Sequence, residues 1–441
     1  MYYKKQLIYV LFITIIFSGL GLTQNQLPPS DVPNPSIIYR NNIHENNYLK
    51  AFIELQKDEF AKSEMWSGMM PDLLAYLYSF MGDYQKAYAQ LDRAREKYLS
   101  SPFYQDVKKS PIDEYEPKNA IDDVSTLADS HPIIMINEEH DTPMHRAFTT
   151  RLLPVLYAKG FRYLAAETFT ETNEEIKKRG YPSHKTGFYT NDPVFGEMVR
   201  TASRLGFTLV PYEHPVEKVI ECSKQQKSAD ECQNERERGQ AQNLYDRILK
   251  NDPKAKVLVH VGRGHNQQLN NKTWAQMGWH FKVITGITPL SVNQMLSERS
   301  EPKYETGLYR YVTSKWNLTE PTVFKNKDKK YYSSFGYNLD IFHPRATYEN
   351  GRPTWLKLSG DRKAERINLK KLKVKSDKGI ITGNEPVLIQ ALRIGEGSDT
   401  IPVDQIILYP NQKVPVLILP KGKFRIRAMD KSGKEIGQYQ H

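Results

Sequence analysis

Residues 134 to 148, "IMINEEHDTPMHRAF", put Glu138, Glu139, His140, Asp141 and His145 into eight consecutive positions directly after an apolar run. Charged groups this dense are normally spread over a solvated face. Three carboxylates and two histidines at a strand end can instead abstract a proton, hold a metal or orient one another. Crowded carboxylates repel, so they require a metal, arginines or a raised pKa.

The elements that must position these groups are legible around them. Four apolar strand candidates, "HPIIMIN", "FRYLAAE", "FTLVPYE" and "KVLVHVG", alternate with helical segments, which implies an α/β fold with a mainly parallel sheet and flanking helices. Pro143 suits the first position of the helix after the first strand, and Gly160 falls just past its end. Met144, Phe148, Leu152 and Val155 share one face of it. A second helix is expected from about Asn191 to Leu205, ended by Gly206, and a longer polar one over about 231–250. In a parallel sheet all C-terminal strand ends lie on one edge, where ligand crevices form. That edge collects Glu138, Glu139 and His140 from the first strand, Glu167 from the second, Glu213 and His214 from the third, and Arg263 and His265 of "GRGH" from the fourth. His145 falls in the first helical turn, where backbone N–H groups favour anions. It also borders the apolar face, so a buried structural role stays open. Glu139 alternates away from Glu138, and Glu139→Gln is expected to be nearly silent. Glu138→Gln is expected to keep or raise the melting temperature unless a metal or an arginine compensates the charge.

"NEEHDTPMH" resembles the G-E-x-H-D-x-x-x-H motif that opens the erythromycin-esterase-like and ChaN-like superfamily, whose broader relatives include TraB/Tiki-type metalloproteases. "AAETF" matches the glutamate ending that family's second strand, and "VGRGH" resembles its late Gly-x-Gly-His. "RERGQAQN" is similar to the esterases' R-D-x-x-M-A-x-N helix, with Arg236 and Asn243 kept, Glu237 for Asp and Gln240 for Met. Asn137 stands where the family has glycine. The resemblance covers about 125–290. It implies a fold whose members hydrolyse a macrolactone, bind haem or act as metal-dependent peptidases, so it does not select a substrate.

The expected function is an exported hydrolase of ester or amide bonds acting on a small molecule or peptide. His140 would be the general base, Glu138 or Glu167 would orient it or the water, and His265 with Arg236 would stabilise the oxyanion. His145 completes the catalytic candidates, and Asp141, Glu213, His214 and Arg263 are the substrate-binding ones. A metal version uses Glu138, His140, Glu167 and His265 as ligands of a divalent cation with one position open to water. No H-E-x-x-H helix occurs, which excludes a zincin-type site. The alternative is a haem- or iron-binding envelope protein with His140 or Tyr212 as axial ligand.

The ends of the chain bear on compartment and partners. Lys4, Lys5, the run "QLIYVLFITIIFSGLGL" and small or polar residues to Thr23 have the layout of a signal peptide over 1–23. The run falls short of the roughly 20 apolar residues of a spanning helix, so a periplasmic or secreted protein is preferred to one anchored by an uncleaved helix. Cys222 and Cys232 are the sole cysteines, and in an oxidising compartment they are expected to pair. A linker is expected over 24–45 and a helical cap over 46–120. The cap includes one tetratricopeptide-like unit around Gly82, Ala87 and Ala94. The α/β domain follows over 121–358, finished by edge structure from about 305. An antiparallel β-sandwich is expected over 361–441. The net charge is +11, and from Asp361 onward 16 Lys and Arg face 9 Asp and Glu. That excess suits an envelope glycan or protein contact through the C-terminal domain. Diffuse charge and the lack of a recognised motif argue against nucleic acid.

Overall fold

The computed structural model describes residues 32–43, 46–63, 66–225, 227–271, 273–358, 360 and 362–441. The expected leader over 1–23 and the start of the linker lie outside them. Strand β2 (Ile133–Glu138) is buried at every position. Helices cover both faces of its sheet, and strands in that setting read as unbroken apolar runs. The sheet has eight strands. In spatial order they are β1 (Glu116–Asn119), β7 (Thr322–Lys325), β8 (Leu339–Phe342), β6 (Leu290–Leu296), β2, β5 (Val257–Gly262), β3 (Tyr163–Ala166) and β4 (Thr208–Pro211). β2 runs parallel to β5 and β6, β3 to β4 and β5, and β6 to β8. β7 is antiparallel to both its neighbours.

Two strands differ from expectation. "LDIF" was expected in edge structure, yet β8 lies inside the sheet between β7 and β6 and is buried throughout. β6 adds a further parallel strand that the polar residues of "LSVNQML" conceal. Asn293 and Gln294 are buried there because each finds a partner, Asp340 for one and Asn137 for the other.

Helices α1 (Pro35–Ile43), α2 (Tyr48–Leu55), α3 (Asp58–Lys62), α4 (Met70–Phe80) and α5 (Tyr84–Arg95) precede the sheet. α1 occupies part of the stretch expected as linker. Its Tyr39 and Ile43, one turn apart, are buried in the main core. After α6 (Ala120–Leu127), α7 (Pro143–Ala158) leads from β2 to β3, and α8 (Asn173–Arg179) with α9 (Pro193–Leu205) leads from β3 to β4. α7 and α9 cover one face of the sheet through Phe148, Leu152, Met198 and Val199. α10 (Val216–Lys224), α11 (Ala229–Leu244) and α12 (Met277–Thr285) follow β4 and β5, and α13 (Gly307–Lys315) follows β6. Ala241, Leu244, Met277 and Phe281 pack against Val257, Val259 and Val261 on the other face. Cys222 and Cys232 form the expected disulfide, which joins α10 to α11.

The C-terminal part is built from antiparallel pairs. β9 (Tyr348–Glu349) pairs with β10 (Arg352–Pro353), β11 (Arg362–Glu365) with β16 (Leu417–Pro420), and β12 (Ser376–Asp377) with β13 (Ile380–Ile381). A four-stranded sheet runs β15 (Asp404–Leu408), β14 (Val387–Arg393), β17 (Phe424–Met429), β18 (Glu435–Gln440). Its Ile389, Ile406 and Ile426 share a core with Leu417 and Leu419 of β16. The same sheet also packs on the N-terminal helices, with Leu388, Ile407 and Met429 in one cluster with Tyr48, Phe80 and Met81. No helix among the described residues is long and apolar enough to cross a membrane.

Candidate active site

The C-terminal edge of the sheet holds two networks of buried charge that meet over Gly262. The first is centred on Glu138, the last residue of β2. Its carboxylate accepts from Arg146 Nε at 2.8 Å and from Arg146 Nη2 at 2.7 Å, and it contacts His140 Nδ1 at 2.8 Å and His260 Nε2 at 2.7 Å. Burial alone would raise its pKa, but Arg146 and His260 outweigh that and hold it well below the usual carboxylate range. Arg146 is itself wholly buried and also reaches Asp192 at 3.1 Å. Asp192 caps α9 by accepting from the Val194 N–H.

An ionised carboxylate only accepts, so the proton of His140 sits on Nδ1 and its Nε2 is the basic nitrogen. The ring stacks on Tyr189 with centroids 3.9 Å apart, and Tyr76 of α4 stands edge-on at 6.4 Å. The Cε1–Nε2 edge lies over Gly262. A Cβ there would overlap the His140 ring and crowd Glu167 Oε2 at 2.9 Å. Gly262 is thus the gap through which His140 and Glu167 approach each other.

The second network is built around Glu167, just past β3. Its Oε1 accepts from Arg236 Nη2 at 2.9 Å and its Oε2 from the Gly262 N–H at 2.6 Å. Desolvation pushes this carboxyl up, but His265, Arg236 and His140 pull it further down, to about 2. Arg236 also grips Glu213 through Nε at 3.1 Å and Nη2 at 2.6 Å. His265 Nε2 lies 3.7 Å from Glu167 Oε1, and its Nδ1 is 2.6 Å from Oε1 of Glu237. Glu237 is buried and accepts the Met277 N–H with its other oxygen. Burial would lower the His265 pKa, yet Glu237 and Glu167 overcome it and leave the imidazole raised.

The remaining candidates lie elsewhere. Glu139 turns away from His140 to Arg95 of α5 at 3.2 Å and Arg263 at 3.8 Å; burial opposes ionisation, but these arginines bring it down to about 2. His145 is fully buried, its Nδ1 accepting the Glu139 N–H at 3.0 Å and its Nε2 facing Ser297 Oγ at 3.2 Å. Desolvation lowers it to about 4, against the pull of nearby carboxylates, so it is a neutral structural histidine and not an anion ligand. Asp141 is buried in an ion pair with Arg299 at 2.8 Å, which Asp92 of α5 also holds. His214 leaves the site and packs over Gly239, where a Cβ would overlap its ring. Arg263 is the half-exposed member, held at φ 41°.

The ligand sets expected for metal and haem do not fit. Glu138 and Glu167 spend their oxygens on arginine, histidine and backbone donors, and no group of three or more His, Cys, Asp or Glu among the described residues is placed to hold a metal ion. An axial histidine must point a ring nitrogen at the iron, but Nδ1 of His140 faces Glu138 and its Nε2 edge lies over the Gly262 backbone beside Glu167, which leaves no room for a porphyrin at either nitrogen. Tyr212 is buried with its hydroxyl donating to the His260 carbonyl at 3.3 Å. None of the four principal cavities is lined by His140, Glu167 or His265; the His140 side chain is nearly buried, with Tyr189 stacked on its ring and Tyr76 edge-on to it.

Sequence reasoning missed Arg146, His260, Asp192, Tyr76 and Tyr189 as members of the site, and left Glu237 without a role. His260 had a signal. It alternates with Val257, Val259 and Val261 in a run whose faces are both covered, so a polar group there needs a buried partner.

No family model matches the sequence, and no curated protein does either. A solved structure, reported to reveal a thiol-protease-like catalytic triad in the C-terminal region of Pasteurella multocida toxin, is similar over 96% of this chain and 62% of that one. The identity is 9% and the TM-score 0.29, too distant to carry an argument here.

Proposed function

We propose that this chain is an exported hydrolase of ester or amide bonds in which two glutamate–histidine pairs act on opposite sides of Glu167. Glu138 fixes His140 as the Nδ1–H tautomer, and Nε2 takes the proton of an attacking water. The water oxygen adds to the substrate carbonyl. The proton then passes from Nε2 to the leaving alkoxide or amine as the acyl bond breaks, which restores neutral His140. His265, kept basic by Glu237, donates to the developing oxyanion. Arg236 is committed to Glu167 and Glu213, so its part is to hold those carboxylates in place. Export rests on the leader-like N-terminus and the Cys222–Cys232 bridge.

The observation that carries the reading is the pinning of His140 by Glu138 at 2.8 Å, with the opposite ring edge over Gly262 beside Glu167. The test is hydrolysis of a panel of aryl esters and peptide anilides by the protein starting near Gln24, with and without EDTA. EDTA is expected to leave the rate unchanged. His140→Ala and His265→Ala are each expected to lower kcat by roughly a hundredfold or more while circular dichroism shows the fold retained. Full activity in His140→Ala, or loss of activity in EDTA, refutes the mechanism.

A further inference from the structure

A separate cavity, not lined by His140, lies on the same edge of the sheet against α7. It opens at the C-terminal end of β8 and holds about 620 Å³, a size that suits a small-molecule ligand. α7 presents Met144, Phe148 and Arg151 to it, spaced by four and three residues and so on one helical face. Trp355 and Leu358 form an apolar wall opposite.

Two polar groups in the wall of this cavity, one of them buried just behind its surface, lack the partners their chemistry requires. His343, the residue after β8, is fully buried, and neither of its ring nitrogens has a hydrogen-bond partner. Its ring is wedged 5.1 Å from His145 and edge-on to Phe148 at 5.5 Å, and burial beside His145 and Arg151 keeps it neutral. A neutral imidazole carries one donor and one acceptor, and leaving both unmade in the interior is costly. Arg151 makes no ion pair or hydrogen bond with a described residue. The other charges of the lining are engaged, Arg345 by both oxygens of Glu305 and Glu320 by Asn119.

We propose that this cavity binds a small monoanionic amphiphile. Its carboxylate or phosphate head pairs with Arg151 and, once the His343 ring turns toward the cavity, accepts the ring N–H, while its apolar chain lies against Met144, Phe148, Trp355 and Leu358. The site is separate from the two glutamate–histidine pairs, and its occupancy does not depend on the chain being a hydrolase.

Calorimetric titration of the full chain with decanoate, decyl phosphate and decanol tests this. Saturable binding of at least one of the two anions, with decanol at least tenfold weaker, is expected, and the tighter anion identifies the head group. Arg151→Gln is expected to bring the anion down to the level of decanol without moving the melting temperature, since the guanidinium makes no ion pair or hydrogen bond with a described residue. His343→Phe is expected to weaken the anion further than the alcohol. Decanol binding as tightly as both anions, wild-type affinity in Arg151→Gln, or no saturable binding at millimolar ligand each overturns the proposal.

Discussion

Glu138 receives four donors from three residues, and the arginine among them reverses what its removal should do. Arg146 compensates the carboxylate, so Glu138→Gln would leave a buried guanidinium with Asp192 as its one carboxylate partner. Breaking a buried pair from one side typically costs about 3–5 kcal/mol. Urea denaturation of Glu138→Gln is therefore expected to show a loss of that order, and a melting temperature equal to or above wild type contradicts the geometry. A pH profile is also set at this scale. His145 is held neutral down to about 4, whereas its unfolded counterpart takes up a proton near 6.5. The unfolded state thus binds more protons in that window, and stability falls by roughly 3 kcal/mol as pH drops from 6.5 to 4. Glu139 and Glu167, depressed to about 2, continue the loss below 4.5. His265 works the other way, because its raised pKa gives stability that is complete below 6.5 and is lost as pH rises through the folded value. Melting temperatures read across pH 3 to 9 are expected to peak near pH 6.5, and His145→Gln to flatten the acid flank between 6.5 and 4.

Among the elements, α11 supplies two adjacent buried charges of the candidate site, Arg236 and Glu237. The Cys222–Cys232 bridge ties it to α10 across a short loop. Closing a loop that small stabilises by about 3 kcal/mol or less, mainly through the unfolded chain. Cys222→Ser with Cys232→Ser is expected to lower unfolding free energy by that order and to make stability insensitive to reductant. A reductant effect that persists in the double variant excludes this account. The elements were largely legible where a covered strand had to be apolar or a helix had to begin at Pro143 and end before Gly206. The site was legible in part. His140, Glu138, Glu167 and His265 follow from strand ends on one edge, but Arg146 is held between Glu138 and Asp192, and the second of these lies beyond β3 in the chain. No local pattern in "HRAF" distinguishes a buried arginine from a solvated one. Tyr76 is further removed still, because it belongs to a helix that reads as a peripheral cap.

At the scale of the whole molecule, the three parts distinguished by sequence pattern share a core. Gln405 of β15 donates to the Phe80 carbonyl at 2.7 Å, and the Ile407 N–H to the Met81 carbonyl at 2.9 Å. Arg200 of α9 binds Glu396 at 2.6 Å, and Arg352 binds Asp404 at 2.7 Å with both side chains buried. Scanning calorimetry of the full chain is expected to give one cooperative transition, and truncation after Leu358 to give a chain without near-ultraviolet dichroism because Tyr48, Phe80 and Met81 would face water. Two resolved transitions, or a folded truncated chain, would assign independence to the C-terminal sheets.

The burial of His140 beneath two tyrosine rings would make admission to the proposed site a kinetic matter. Tyr76 comes from α4 and Tyr189 from the segment before α9, and the two rings pack 5.4 Å apart in a T-shape above the imidazole. On the proposed mechanism a substrate carbonyl reaches the buried imidazole only after its covering moves, so bond cleavage would wait on a breathing motion that solvent friction slows. Turnover on reactive esters should then fall with added glycerol or sucrose in proportion to viscosity, while Tyr76→Ala should turn faster and lose that dependence.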